Sequence, residues 1–213
     1  MTVDRFDVAN LTSERWLYVA RNVFLLIVWG QKEYNGLRMH GIQERSTTMT
    51  AIDKNELKEL LLKCWMTHDG MWFYHSMQEM GIEKTNQINK AAIKSLAGIE
   101  IERVRKAFGL KKIETFEDIK TLSYAAFGVL TADFMGFDYT FPSENIMHWE
   151  MNKCFAHAGM TRLGVIERYE CGVIYRVACW FDSLGVNYII TPQPDRCLMH
   201  VSGSCRGDFT FSL

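Results

Sequence analysis

The stretch HDGMWFYHSMQEMG, residues 68–81, sets two imidazoles and a carboxylate among aromatic and methionine side chains. His68, Trp72, His75 and Glu79 stand at offsets of four, seven and eleven, which places them on one side of a helix. His75 and Glu79, one turn apart, have the residue types of an acid–base pair. With His68 they offer two or three ligands to zinc or iron, although the zincin pattern HExxH is absent. The plainer alternative is histidines bonded to backbone or water and a Glu79 that faces solvent.

A second set is Cys154, Cys171, Cys197 and Cys205. None belongs to a CxxC knuckle, but each lies near the end of an expected element, where loops can gather distant residues. Cys154 and Cys171 fall near expected helix starts, whose free N–H groups and dipole favour a thiolate. The choice lies between packing thiols and a ligand or reactive set. Cys64 and Cys179 sit inside helical patterns among apolar neighbours and are expected to be inert core thiols.

The third set is His148, Glu150 and His157. IMHWEMN alternates as a strand does, so His148 and Glu150 share one face around Trp149. If that face packs on the helix over 54–80, His148 meets His75 and Glu79; otherwise the strand faces solvent. In a hydrolase His75 or His148 would be the base, and Glu79 or Glu150 the acid or orienting group. The nucleophile would be a metal-bound water or the Cys154 thiolate. Trp65, Trp72, Phe73, Trp149 and Trp180, with His68 and Asp69, either line a small-molecule pocket or form ordinary core. No Rossmann fingerprint, phosphate loop or G-x-S-x-G elbow occurs.

The elements that must position these residues read as helices first and strands later. All three prolines follow Phe141. Thr12 or Ser13 can cap a helix to about Met39, with Trp16, Val19, Val23, Leu26, Ile27 and Tyr34 on its apolar face. DKNE, residues 53–56, is a capping box for a helix that stops at Gly81. Another runs from about Lys84 to Phe108, and TFED, residues 115–118, caps one to about Leu130. A short helix follows near Lys153, and YECGVIYRVACWFDSLG reads as a helix closed by Gly185. VNYIITP, CLMHVSG and GDFTFSL read as three short strands of an antiparallel meander. The fold class is therefore α+β: a helical part over 1–140 and an α+β part over 141–213, forming one compact unit.

The 213 residues are 48% hydrophobic and carry a net charge of −1, with no stripe of Lys and Arg, which argues against nucleic acid as a partner. The greasiest run, VFLLIVWG at 23–30, holds seven apolar residues, a helix of about 10 Å against a hydrocarbon core of roughly 30 Å. No membrane span is expected, and the charged N-terminus lacks the form of a secretory signal. The expected location is the cytoplasm, with reduced cysteines. The apolar 16–29 helix is a candidate homodimer interface.

From Trp65 onward the chain resembles a family of bacterial cytosolic proteins of unknown function. The residues that carry the resemblance are HDGMWF (68–73), GIEKTNQIN (81–89), GIEIERVRKAFG (98–109), CFAHAGM (154–160), YECGVIYRVACWF (169–181) and CRGDFTF (205–211). The tail more faintly resembles the L-2-amino-thiazoline-4-carboxylic acid hydrolases and the 4-vinyl reductase ligand-binding domains. The first resemblance implies a cytosolic α+β protein with no established activity. The second implies a hydrolase acting on C–N bonds, opening an amidine or thioether ring, or a small-ligand domain. The positions carried across are His68, Asp69, Cys154, Cys171 and Cys205, the last three as ligands of zinc or iron. Thr191 stands where the tail of the first family would place another cysteine. The resulting expectation is a small-molecule hydrolase with its cavity between helices and sheet. Its rivals are a non-catalytic ligand-binding or sensor module and a dimerising interaction protein.

Overall fold

The computed structural model describes residues 52–213. They fall in one compact unit, Ala51–Leu213. The helix expected over 12–39, with its candidate dimer interface, lies outside the described residues.

Helix α1, Lys54–Ala107, opens with the expected capping box: Asp53 accepts from the Asn55 and Glu56 amides, and Glu56 accepts from the Asp53 amide. The two helices expected over 54–80 and 84–108 form within this span and meet at a kink, where Gly81 leaves helical geometry with φ 78° and ψ 166°. Positive φ strains any residue with a Cβ, so glycine is suited to the point where one helix ends and the next begins. Helix α2, Phe116–Leu130, is opened by a second box between Thr115 and Asp118. Strands β1, Phe137–Ser143, and β2, Ile146–Met151, form a hairpin. Next come α3, Phe155–Arg162, a 3₁₀ turn at Ile166–Arg168, α4, Val173–Ser183, and β3, Asn187–Thr191. The chain ends in α5, Leu198–Ser202, and β4, Cys205–Ser212.

The architecture is α+β, with helices leading into a four-stranded antiparallel sheet of order β1-β2-β4-β3. CLMHVSG departs from expectation: it is the five-residue helix α5, with Cys197 at its N-cap, and not a strand. Apolar residues in so short a run do not distinguish the two periods. The strand β1 went unread, because Pro142 lies within it. Proline is tolerated there because β1 is an edge strand and its free side needs no ladder donor.

Strict alternation gives the sheet a dry face and a wet one. Met147, Trp149, Phe209, Phe211 and Ile190 point to the dry face, where they join Ile101, Ile119, Leu122, Ile174 and Phe181 from α1, α2 and α4. Trp149 is fully buried and lies across the ladder from Gly207. A Cβ at Gly207 would sit 2.4 Å from the Trp149 Cη2 and 2.5 Å from the Thr191 carbonyl oxygen. Neither neighbour is a flexible chain end, so Gly207→Ala should cost about 1–3 kcal/mol, the usual range for overpacking. Urea melts of the two proteins check this, and equal midpoints would show that the indole can move aside.

Candidate functional site

Four cysteines from separate elements gather at one end of the sheet. Cys154 follows β2 and caps α3, Cys171 precedes α4, Cys197 caps α5, and Cys205 begins β4 opposite Met151. Cys171, Cys197 and Cys205 are buried and Cys154 is partly buried. Cys154 and Cys197 pack in one small core with Phe73, Ile82, Met160 and Tyr169. The sulfurs lie near enough to act on one another electrostatically: the thiols of Cys154 and Cys197 both raise the pKa of Cys171 and of Cys205.

The second half of α1 holds this end together. Asn86, buried on α1, donates to the Arg168 carbonyl at 2.8 Å and accepts from the Glu170 amide at 3.4 Å. Arg168 pairs with Glu83, and Lys90 with Glu170 at 2.6 Å. The Arg196 guanidinium donates to the Glu167 carbonyl and draws the Cys197 loop against the same segment. Gly172 lies close beneath α1, where a Cβ would meet the Ile93 Cδ1 at 2.8 Å.

Burial is the first cause of every thiol shift. It pushes Cys171 up to about 11 and Cys205 up to about 12, and raises Cys154 as well. Opposing it is a ring of N–H donors. The amides of His157 and Ala156 favour a Cys154 thiolate, those of Ile174 and Val173 favour one at Cys171, and the Trp149 indole favours one at Cys205. Yet neither Cys154 nor Cys171 closes a helix-capping hydrogen bond, and the buried Trp149 Nε1 has no hydrogen-bond partner. The indole lies near enough to the Cys205 sulfur to favour its thiolate, yet makes no hydrogen bond to the neutral thiol, a weak acceptor. The hydroxyl of buried Tyr169 accepts from the Gly172 amide at 3.1 Å, and its pKa is raised by burial and then by Cys171.

These shifts set a pH dependence for the protein in its thiol form. Raised pKa values mean that the fold retains thiol protons that the unfolded chain releases above about pH 9, the ordinary value. Stability from this source is complete below that pH. It falls as pH climbs through the folded values of about 11 and about 12. Urea midpoints should therefore drop between pH of about 8 and about 10.5, and constant midpoints would show that the thiols are not held neutral.

The other sequence candidates are dispersed. His68, His75 and Glu79 lie on the outer surface of α1 and are exposed. An open recess of about 330 Å³ is lined by His68, Met71, Trp72 and His75. It sits on the helix itself and not between helices and sheet; Glu79 does not line it. Asp69 is exposed, 3.7 Å from the His68 Nδ1. Trp149, Trp180 and Phe73 are core, and Trp65 stacks on the Arg176 guanidinium at 4.6 Å. Cys64, expected in the core, is exposed, because only Leu62 and Phe73 of residues 54–80 are buried. Cys179 is buried as expected.

His148 and Glu150 do share a face, and it is the wet one. His148 lies opposite Asp208, and its Nδ1 is 2.7 Å from the Asp208 Oδ1. Helices pack on the other face, so His148 does not meet His75 or Glu79. His157 lies on α3, partly buried. Among the described residues, no three His, Cys, Asp or Glu side chains converge closely enough to share one ion as arranged.

With this geometry in hand, comparison with known proteins gives one match, over residues 47–181. The chain belongs to a family of unknown function (DUF6125). No curated protein and no solved structure matches it. The matched span contains the α1 recess, Cys154 and Cys171, and ends inside α4, before Cys197 and Cys205. Among the described residues, no helix is long and apolar enough to cross a membrane.

Sequence reading grouped the four cysteines but carried only Cys154, Cys171 and Cys205 forward as ligands. Trp149 was read as a pocket residue and not as an indole donor beside Cys205, and Tyr169 was not singled out. Cys197 had a usable signal in the short apolar run behind it, which a helix cap fits as well as a strand does.

Proposed function

We propose that this family member holds a thiolate-ligated metal centre on Cys154, Cys171, Cys197 and Cys205. The observation that carries the reading is the unpaired, fully buried indole N–H of Trp149 beside the Cys205 sulfur. A buried donor without an acceptor costs about 1–3 kcal/mol, and a metal-bound thiolate is a strong acceptor where a thiol is a weak one. Amides aimed at Cys154 and Cys171 fit the same charge. No three donors converge on one ion as arranged, so the four sulfurs would have to shift on loading; a polynuclear iron–sulfur cluster, whose thiolates bind separate iron atoms, asks for less approach than one shared ion. A single tetrahedral zinc would need each sulfur about 2.3 Å from one ion. Such a cluster supplies electron transfer or a structural brace; the chain supplies the ligands, a dry shell and N–H donors that compensate its negative charge. A reducing cytoplasm is the compartment in which six free cysteines persist.

Iron and acid-labile sulfide analysis of full-length protein purified without oxygen tests the assignment. Stoichiometric iron and sulfide are expected. Zinc in their place would retain the cysteine site but reject the cluster, and protein free of bound metal would reject both.

One observation favours a second reading, hydrolysis of a small organic molecule at a C–N bond. His148 and Asp208 form a pair in which the carboxylate orients the ring and can leave Nε2 as a base. Turnover of amidine substrates that vanishes in His148→Gln and persists in Cys205→Ser would favour it over the metal centre.

A further inference from the structure

We propose that the outer face of α1, before the kink at Gly81, docks a second copy of this chain, with the two helices antiparallel about a two-fold axis. This surface is separate from the cysteine centre and does not depend on it. Leu57, Leu61, Cys64, His68, Met71 and His75 follow one another at intervals of four, three, four, three and four. That alternation averages about 3.5 residues, the repeat of a seam along which one helix meets another. All six are exposed, and they lie on the side of α1 opposite buried Leu62 and Phe73. Leu60 and Trp72 flank the seam and are 49% and 66% exposed. Single surface leucines need no explanation, whereas a continuous apolar strip marks an interaction site.

Shape selects the occupant. The recess of about 330 Å³ is lined by His68, Met71, Trp72 and His75, at positions i, i+3, i+4 and i+7 of the helix. Four residues so placed form the hole that receives one knob from a facing helix. Their surface there is almost wholly apolar, which fits an aliphatic side chain. The same seam carries such side chains nearer its start, at Leu57 and Leu61. When Leu61 of one copy enters the hole of the other, it faces Met71; Leu57 then faces His75, and Cys64 faces His68. The two-fold axis repeats every contact, so each copy supplies one knob end and one hole end to a self-complementary interface. Charge agrees with this direction. Exposed Lys54, at the start of the seam, falls beside exposed Glu79 at the end of the other copy's seam. A parallel pair would instead set Lys54 against Lys54 and Glu79 against Glu79. From Lys54 to Glu79 the paired strip is about 38 Å long, at about 1.5 Å per residue.

Sedimentation equilibrium of the full-length protein, with far-UV circular dichroism of each variant, tests the surface. A reversible equilibrium between monomer and dimer is expected. Trp72→Ala should weaken the dimer at least about thirtyfold, the usual effect of truncating a side chain central to an interface. Leu61→Glu should leave only monomer. Both positions are exposed, so folding is not at stake. In His68→Cys, mild oxidation should join the new thiol to Cys64 of the other copy by a reducible bridge, located by peptide mapping. A parent protein that stays monomeric up to about 1 mM, where even a weak association shows, would overturn the proposal. So would a dimer that Leu61→Glu leaves intact, since its contact lies elsewhere in the chain. A bridge between the two copies of Cys64 in place of the expected one would mean parallel helices and reject the arrangement.

Discussion

Glu100→Ala should destabilise the protein by about 3–5 kcal/mol, the cost of stranding one partner of a buried ion pair. Glu100 is 6% exposed and lies on the face of α1 that carries Ala97, Ile101 and Val104. Its Oε2 accepts from the Arg176 Nε at 2.8 Å and from the Trp180 indole at 2.8 Å, while Oε1 pairs with the Arg176 Nη2. Trp65 covers the guanidinium. The substitution thus leaves a charge and an indole N–H without an acceptor at the contact between α1 and α4. Chemical denaturation of the single variant and of Glu100→Leu with Arg176→Met separates the causes. The double variant should recover most of the loss, because an apolar pair needs no partner. A single variant within about 0.5 kcal/mol of the parent would mean that Arg176 finds water at once.

Cys171→Ser should empty the proposed centre and lower the melting temperature of the loaded protein to that of protein stripped by a chelator. Metal binding at a site the unfolded chain lacks is itself folding free energy, so loss of a ligand is felt as loss of stability. The effect should exceed that of Cys179→Ser, because Cys179, though buried in the same larger core as Cys171, is not among the thiols that act on Cys154, Cys171 and Cys205. Calorimetry with metal analysis on both variants checks this. Equal losses would make Cys171 one more packing thiol.

The helical part of the fold was open to reading because its signals are local. Asp53 with Glu56 and Thr115 with Asp118 cap helices within a single turn, and both boxes form. Gly81 marked a stop, and helical geometry does break there; buried Ile82, Thr85 and Asn86 open the next helix at once. The sheet was harder, because pairing is non-local: nothing near Cys205 shows that its strand lies between β2 and β3. Glu100 escaped notice although its spacing from Ala97 and Val104 placed it on a buried face. The opening histidine face was recognised by spacing, but which side of α1 faces water depends on what packs against it. The cysteines were legible as a set, whereas their gathering at the sheet end comes from the α1 contacts with residues 166–171 and from the turn into β4.

X-ray absorption at the metal edge of the intact, anaerobically purified protein tests the cysteine centre most directly. The expected spectrum has an all-sulfur first shell with a second metal atom beyond it, and both features vanish in Cys205→Ser. A first shell of nitrogen and oxygen, or a spectrum unchanged in that variant, would contradict it.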